Sequence, residues 1–253
     1  MAGTDSTRVP VEEPGPAIIL VEPQLGENIG MAARAMWNCG LTDLRLVRPR
    51  GEFPNRYAIA AASGADMLIE RARLFDSTAE AIADLHHVFA TTARHRDMLK
   101  PIETPRSLGT TLRTLIGRGE ACGVLFGKER TGLSNEDAVL AQTLVNVPLN
   151  PAYSSLNIAQ AVLLIGYEWF QAGDTTPPRE MPLGHTRPAT AAELQGFYDQ
   201  LDEALEAAQF YRTEEMRPVM WRNVRNIFQR AGLTEQEVRT LRGLVSRLAG
   251  SRK

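Results

Sequence analysis

Short apolar runs alternate with amphipathic stretches along the chain up to about residue 171. Five of these runs predict buried strands, at 17–21, 44–47, 88–91, 122–126 and 144–148. Between them, apolar residues recur at helical spacing, as Ile29, Ala33 and Met36 do in a helix predicted over 28–39 with Asn28 as its N-cap. Strands that alternate with helices predict an α/β fold, with a largely parallel sheet covered on both faces.

The pattern also predicts how the chain is divided. Further helices are expected at 58–62, 79–85, 108–116, 135–142 and 155–171, and a Pro-rich stretch then predicts a linker. Beyond it the pattern is helical at 191–208, 214–231 and 235–248, with Thr190 and Thr234 as N-caps and Gly232 as a stop. We therefore expect a flexible lead over 1–15, an α/β domain over 16–171, a linker over 172–189 and a small all-α domain over 190–253.

Charge is informative by its distribution rather than by its sum. The chain has 28 basic and 30 acidic side chains, so its net charge does not indicate a nucleic-acid partner. Residues 212–253, however, contain ten Arg or Lys against four Glu, whereas residues 193–206 contain five acids and no base. This segregation is typical either of a binding face or of ordinary solvated helix faces.

Several classes of protein are excluded by composition. Two cysteines in 253 residues make no disulfide framework, and the absence of any Cys/His cluster predicts no metal site. The polar N-terminus lacks the apolar region of a signal peptide, and no apolar run approaches the ~20 residues of a membrane span. We therefore expect a soluble, cytoplasmic protein that does not associate with membranes.

The segment GKERTGLS (127–134) follows a predicted strand and resembles a phosphate-binding loop in its glycine spacing. Leu133 stands where such a loop needs its lysine, which argues against nucleotide-dependent phosphoryl transfer. Gly127 and Gly132 allow a ligand to approach the backbone closely, and Glu129 lies between them. The alternative is a plain strand-to-helix turn with a solvated Glu129.

Two other segments are candidates for ligand contacts. Ser154 or Ser155 is positioned to cap the helix at 155–171, whose free N–H groups would suit a carboxylate, although a simple cap is the alternative. A serine nucleophile is not predicted, because no G-x-S-x-G elbow and no triad-like histidine exists. The loop after the strand at 88–91 is basic and suits phosphate contacts, or is merely solvated; its basic residues are Arg94, His95, Arg96 and Lys100.

Taken in order, these motifs resemble the SPOUT superfamily of RNA methyltransferases, in its SpoU/TrmH branch of ribose 2′-O-methyltransferases. The resemblance covers about residues 16–171. The first family motif corresponds to Asn28, Gly30 and Arg34, the second to Gly127, Glu129, Gly132 and Leu133, and the third to Ser155, Leu156 and Asn157.

The resemblance implies a parallel α/β sheet with a C-terminal trefoil knot, a homodimer with the site at its interface, and S-adenosylmethionine as cofactor, with S-adenosylhomocysteine as product. By the same resemblance the cofactor would lie against Thr91, Thr92, Ala93, Gly127, Val147, Ser154, Ser155 and Leu156.

The catalytic residues implied by the resemblance are Arg34, Ser155, Asn28, Glu129 and Asn157. Arg34 is the family's proton acceptor, but a guanidinium with a pKa above about 12 is a poor base, so it could instead hold phosphate or stabilise alkoxide. Ser155 would orient the substrate as a hydrogen-bond donor. Asn28 and Glu129 would support the interface or the ribose, and Asn157 would bond at the helix start. Taken alone, Arg34 is a surface arginine unless its helix lines the ligand crevice.

The helical tail from residue 197 also resembles a subgroup that methylates the ribose of tRNA nucleotide 32. This implies tRNA as the partner. The alternatives are 2′-O-methylation at another tRNA or rRNA position, methylation of a base, and a knotted RNA-binding protein without activity.

Overall fold

The computed structural model describes residues 14–92, 98–179 and 181–250. The chain divides into two compact units between Thr176 and Pro177, inside the predicted linker. The last part of that linker belongs to the second unit, because the Ala189 N–H donates to the Leu233 carbonyl at 2.9 Å.

The first unit is built from alternating strands and helices. Its strands are β1 (Ala17–Val21), β2 (Leu44–Val47), β3 (Arg73–Phe75), β4 (His87–Thr92), β5 (Ile102–Glu103), β6 (Cys122–Phe126) and β7 (Thr143–Asn146). Its helices are α1 (Gly26–Asn38), α2 (Arg56–Ala62), α3 (Asp66–Glu70), α4 (Thr78–Ala81), α5 (Pro105–Gly117), α6 (Asn135–Val139) and α7 (Ile158–Gln171).

The strands form one parallel sheet in the order β3-β2-β1-β6-β4-β7-β5. The predicted α/β fold with a parallel sheet is thereby confirmed. Because all strands run the same way, their carboxyl ends meet at one edge of the sheet. The trefoil threading implied by the resemblance stays a prediction.

Alternate residues of the central strand β1 enter two different cores. Ile18 and Leu20 belong to the cluster that includes residues of α1, α5 and α7, whereas Ile19 and Val21 belong to a second cluster with residues of α4 and α6. All five β1 residues are buried. A strand buried on both faces explains why β1 reads as a continuous apolar run rather than as an alternating one.

Helix α1 begins earlier than predicted, and Asn28 is not its N-cap. The N-cap is Leu25, which makes no side-chain capping bond, and Asn28 lies inside the first turns with only 4% of its surface exposed. The Asn28 side chain instead bonds to Glu129, far away in the sequence. The prediction was wrong because a sequence does not distinguish an asparagine that caps a helix from one whose side chain bonds to a distant residue.

Helices α1 and α2 pack so closely that Gly30 has no room for a side chain. A Cβ atom at this position would lie 2.1 Å from the Ala58 carbonyl oxygen and 2.8 Å from the Ala61 Cβ. The glycine of the first motif therefore fixes the distance between α1 and α2.

The second unit contains α8 (Ala191–Ala207), α9 (Arg217–Ala231) and α10 (Glu235–Gly250). Its small core centres on Phe197, Tyr198 and Val238, and Phe197 packs edge-on against Phe228 with ring centroids 5.0 Å apart. Thr190 caps α8, and Gly232 ends α9 with a left-handed φ of 61°, both as predicted.

The described residues contain neither a membrane-spanning helix nor a cluster of metal ligands. None of their helices combines the length and apolar character needed to cross a membrane. Within the same ranges, no group of three or more His, Cys, Asp or Glu side chains is arranged to hold a metal ion.

Candidate active site

Three polar side chains that are far apart in sequence form one hydrogen-bonded chain near the carboxyl edge of the sheet. The Asn28 Nδ2 donates to Glu129 Oε1 at 2.8 Å, and the Asn157 Nδ2 donates to Asn28 Oδ1 at 2.9 Å. These residues belong to the first, second and third motif respectively. The structure thus joins the three motifs through the buried amide of Asn28.

The carboxylate of Glu129 is held from a second side by the backbone. The Gln24 N–H lies 3.2 Å from Oε1 and 3.1 Å from Oε2 of Glu129, and so bridges both oxygens. Glu129 is therefore a bound carboxylate rather than a solvated turn residue. Because the donor is the backbone N–H of Gln24, its side-chain type gives no indication of this contact in the sequence.

Asn157 also starts the long helix α7, which corrects the prediction that Ser154 or Ser155 caps it. The Asn157 Oδ1 accepts from the Ala159 N–H at 2.8 Å, and Gln160 Oε1 accepts from the Asn157 N–H at 3.1 Å. This reciprocal capping places the helix start at Ile158, three residues later than predicted. Both serines are left exposed in the preceding segment.

A cavity of 410 Å³ opens beside this hydrogen-bonded chain. Seven of the residues predicted to hold a cofactor line this cavity: Thr91, Thr92, Gly127, Val147, Ser154, Ser155 and Leu156. The eighth, Ala93, lies outside the described residues. Thr91 and Thr92 end β4, and the Thr91 Oγ1 donates to the Leu125 carbonyl at 2.9 Å. The cavity is thus formed where strand ends meet the start of α7.

The loop after β6 curls back on itself to form one wall. The Gly132 N–H donates to the Lys128 carbonyl at 2.9 Å, and Gly132 has a left-handed φ of 69°. A Cβ atom on Gly127 would lie 2.0 Å from the backbone nitrogen of Leu133. Both glycines of the second motif are therefore required by the loop itself.

Other residues of the cavity were not predicted from sequence. Its apolar lining includes Phe126, Leu149, Ile158 and Ala161, and its charged lining includes Lys128 and Arg130. The apolar residues look like ordinary core positions in a sequence. The two cations lie inside the second motif, and their position next to Glu129 was the available signal.

Arg34 does not line the cavity. It lies on the exposed side of α1, and within the described parts of the chain it makes no hydrogen bond or ion pair. Arg34 lies six positions after Asn28, so the two side chains leave α1 in different directions. One copy of the chain therefore does not bring Arg34 together with the other predicted catalytic residues.

The basic loop predicted at 91–101 is only partly described. Arg94, His95 and Arg96 lie outside the described residues. Lys100 donates to the backbone carbonyls of Val139 and Ala141, with its Nζ 2.7 Å from the Val139 oxygen. This lysine therefore contacts the last residue of α6 and the segment that follows α6, so the alternative of a merely solvated side chain is wrong for it.

The carboxyl of Glu22, at the carboxyl edge of the sheet, has a shifted pKa. Hydrogen bonds from Lys128 and then Arg48 lower the pKa of the Glu22 carboxyl below its ordinary value. The buried thiols Cys39 and Cys122 behave oppositely, since burial raises the pKa of each to about 11. Both thiols are therefore protonated at neutral pH and are unsuited to act as nucleophiles.

Comparison with known proteins places these features in a family. Residues 15–167 match the model of the SpoU rRNA methylase family, and residues 192–253 match that of the tRNA methyltransferase TrmJ C-terminal domain. The TrmJ of Pseudomonas aeruginosa (strain UCBPP-PA14), a tRNA (cytidine/uridine/adenosine-2′-O-)-methyltransferase, is 36% identical over 238 residues, which cover 90% of this chain and 91% of that protein.

Solved structures agree with this placement. The crystal structure of TrmJ from Z. mobilis ZM4 is 45% identical, with a TM-score of 0.81, and the match covers 92% of this chain and 99% of that one. A structure that addresses the 2-OH methylation of C/U34 on tRNA is 27% identical, with a TM-score of 0.50, over 63% of this chain and 97% of that one. The chain belongs to the SpoU methylase family of RNA methyltransferases, and its second unit places it in the TrmJ group of tRNA 2′-O-methyltransferases.

Proposed function

We propose that the protein transfers a methyl group from S-adenosylmethionine to the ribose 2′-hydroxyl of nucleotide 32 in the anticodon loop of tRNA, and releases S-adenosylhomocysteine. The observation that carries this proposal is the convergence of Asn28, Glu129 and Asn157 beside a cavity lined by the residues expected to hold the cofactor. Because tRNA is the proposed substrate, we expect the enzyme in the cytoplasm.

The cavity suits the proposed cofactor in size and lining. Its 410 Å³ falls in the range of roughly 300–1,000 Å³ that small-molecule sites occupy. Phe126, Leu133 and Leu149 offer apolar surface for an adenine ring, while Thr91 and Ser155 offer hydroxyl groups for polar parts. When bound, S-adenosylmethionine supplies an electrophilic methyl carbon, and the protein contributes position and electrostatics.

The contacts divide the proposed catalytic residues into two kinds. Glu129, Asn28 and Asn157 are engaged with one another and with the backbone, so we assign them the task of fixing the loop after β6 against α1 and α7. Ser155 is exposed at the cavity and is free to orient the substrate. Transfer also releases the proton of the 2′-hydroxyl, for which a phosphate oxygen of the RNA is the proposed acceptor, and Arg34 would stabilise the developing negative charge on the 2′-oxygen as a hydrogen-bond donor.

Because Arg34 does not line the cavity of its own copy, we propose a homodimer in which Arg34 acts at the cavity of the other copy. Helix α1 packs against both α2 and α7, and these three helices expose large apolar side chains, which are Met31, Tyr57, Ile59, Leu163 and Tyr167. Exposed apolar patches of this kind are typical of interaction surfaces. In a twofold dimer the same patch serves both copies, and the Arg34 beside it is presented to the partner.

We propose that the second unit enlarges the tRNA footprint. The excess of basic residues over 212–253 falls largely on α9 and α10, where Arg222, Arg230, Arg239, Arg242 and Arg247 are exposed. Cationic side chains of this type contribute phosphate contacts that do not depend on base identity. This unit would then add affinity for tRNA and leave the cofactor cavity unaffected.

The experiment that tests the proposal is transfer of a labelled methyl group from S-adenosylmethionine to unmodified tRNA transcripts, with the methylated nucleotide mapped. We expect a 2′-O-methyl group at nucleotide 32. Methylation at another nucleotide, such as 34, would keep the reaction and overturn the assigned position. Binding of the cofactor without transfer to tRNA would favour ribosomal RNA or a role in RNA binding alone.

A further inference from the structure

Two residues at the carboxyl edge of the sheet have an unusual backbone conformation. Glu22 directly follows β1 with a φ of 49°, and Arg48 directly follows β2 with a φ of 44°. Left-handed φ values are uncommon for residues with a long side chain, because the Cβ atom crowds the neighbouring carbonyl. Such conformations persist where surrounding contacts impose them, and they cluster at functional sites.

The contact that accompanies this conformation is a carboxylate shared by two cations. Glu22 Oε1 accepts from Arg48 Nη2 at 2.8 Å and from Arg48 Nε at 3.2 Å, while Glu22 Oε2 contacts Lys128 Nζ. Arg48 is also anchored by a 2.8 Å hydrogen bond from Nη1 to the Asp76 carbonyl. Glu22 therefore holds one cation from the end of β2 and one from the loop after β6 at the same place.

The pairing leaves positive charge available to a ligand. Arg48 and Lys128 remain 43% and 41% exposed, whereas Glu22 is only 26% exposed. Arg130, two residues after Lys128, is exposed and has no hydrogen bond or ion pair within the described residues. We name Arg48, Lys128 and Arg130 the basic rim. It carries three positive charges against the two carboxylates of Glu22 and Glu129, and the Glu129 carboxylate is turned to the Gln24 N–H and the Asn28 amide.

Stability alone does not account for this arrangement. Ion pairs at exposed positions contribute little to folding, because water and salt screen them and ordering the side chains costs entropy. The left-handed backbone of Glu22 and Arg48 costs free energy, and an exposed ion pair between them would not offset that cost. The arrangement has a different use: it holds Arg48 and Lys128 in fixed positions beside each other, and Lys128 and Arg130 line the cavity.

We infer that the basic rim binds the RNA phosphates that flank the target nucleotide. The inference rests on the proposed function, because that function supplies the RNA. Guanidinium groups bind phosphate oxygens in a bidentate manner, and a lysine ammonium adds a point charge. With its phosphates held at the rim, the target ribose would be placed at the mouth of the cavity.

The test compares the salt dependence of tRNA binding by the full-length protein and its variants. Removing three phosphate contacts with Arg48→Met, Lys128→Met and Arg130→Met together is expected to lower the slope of log affinity against log salt by about 2, since each contact to a single strand contributes about 0.7. We expect tRNA affinity at low salt to fall at least about tenfold.

Matched variants separate the rim from general charge and from folding. Arg118→Met removes an exposed cation that follows α5 at the opposite, amino-terminal edge of the sheet, and should leave the slope unchanged. Arg48→Lys with Lys128→Arg keeps both charges and should retain most of the slope. Affinity for S-adenosylhomocysteine, measured on Arg48→Met, reports whether the cavity remains intact, because Arg48 does not line it.

The outcomes are distinguishable. If the wild-type protein methylates tRNA but the triple variant keeps the wild-type slope, the rim does not bind phosphate and the inference is overturned while the proposed function stands. If Arg118→Met lowers the slope as much as a rim substitution does, the effect is one of net charge and the inference is equally overturned. If the wild-type protein neither binds nor methylates tRNA, both proposals fail together.

Discussion

The side chain of Asn28 connects the three motifs of the site because it is an amide. It donates one hydrogen bond to the carboxylate of Glu129 and accepts another from the amide of Asn157. An asparagine amide can donate and accept at the same time, whereas an aspartate carboxylate of the same size can only accept. The loop after β6 and the start of α7 are thus aligned through one buried group.

Substitutions of Asn28 test this role. Asn28→Ala leaves two partners unsatisfied and should lower the free energy of unfolding by about 1–3 kcal/mol. Asn28→Asp keeps the size but faces the Glu129 carboxylate with a second negative charge, so at pH 7 it should be more destabilising than Asn28→Ala. Chemical denaturation followed by circular dichroism measures both. An aspartate variant as stable as the wild-type protein would contradict the role assigned to the Asn28 amide.

The site shows which residue roles a sequence can predict. The sequence marks the motif positions, because small and polar residues follow apolar runs where strands end, and the family resemblance implies the residues expected to hold the cofactor. The prediction of Asn28 as an N-cap was wrong, since its partner Glu129 is 101 residues away. The backbone donor of Gln24 and the apolar lining have no local signal, and only the folded chain brings them to the cavity.

At the scale of elements, prediction succeeded where burial is complete and failed where pairing is marginal. The bounds of β1, β2 and β6 match the predicted strands, because these strands are buried along their whole length. Strands β3 and β5 were missed because they are short, lie at the two edges of the sheet and include exposed residues. Such strands form because they pair with a neighbouring strand. The composition of the short segment itself does not predict that pairing.

The packing of α1 on α2 leads to a prediction at the same scale. Gly30→Ala raises helix propensity but places a methyl group against the Ala58 carbonyl, so we expect a net loss of about 1–3 kcal/mol of stability. Gly243→Ala in α10 is the control, because a Cβ atom there meets nothing within 4 Å. It should stabilise its helix by about 0.5–1 kcal/mol. Equal effects of the two substitutions in thermal unfolding would contradict the close packing of α1 on α2.

At the scale of the whole molecule, the position of Arg34 makes the homodimer testable by complementation. We expect Arg34→Ala to abolish turnover and to leave affinity for S-adenosylhomocysteine within about twofold, because Arg34 does not line the cavity. Gly127→Val should abolish cofactor binding, since it disrupts the loop after β6.

Mixing the two inactive variants should restore activity. If each site combines the cavity of one copy with Arg34 of the other, random assortment gives half of the dimers one working site, or about a quarter of wild-type activity. The rate of methyl transfer after subunit exchange measures this. If Arg34 acted within its own chain, the mixture would stay inactive.

The second unit should affect tRNA far more than the cofactor. Deleting residues 190–253 removes the basic excess of α9 and α10, and we expect tRNA affinity to fall by at least about tenfold and to depend less on salt. Affinity for S-adenosylhomocysteine, measured calorimetrically, should change little. Unchanged tRNA affinity in the shortened protein would assign these helices to scaffolding or to dimer support.

The most direct test of the proposed reaction uses a tRNA that lacks only the acceptor atom. A tRNA with a 2′-deoxynucleotide at position 32 keeps every base and phosphate, and we predict that it binds like the unmodified tRNA but accepts no labelled methyl group. If this tRNA were methylated as well as the one with a ribose at position 32, the 2′-oxygen of nucleotide 32 would not be the acceptor, and the proposed reaction would be wrong.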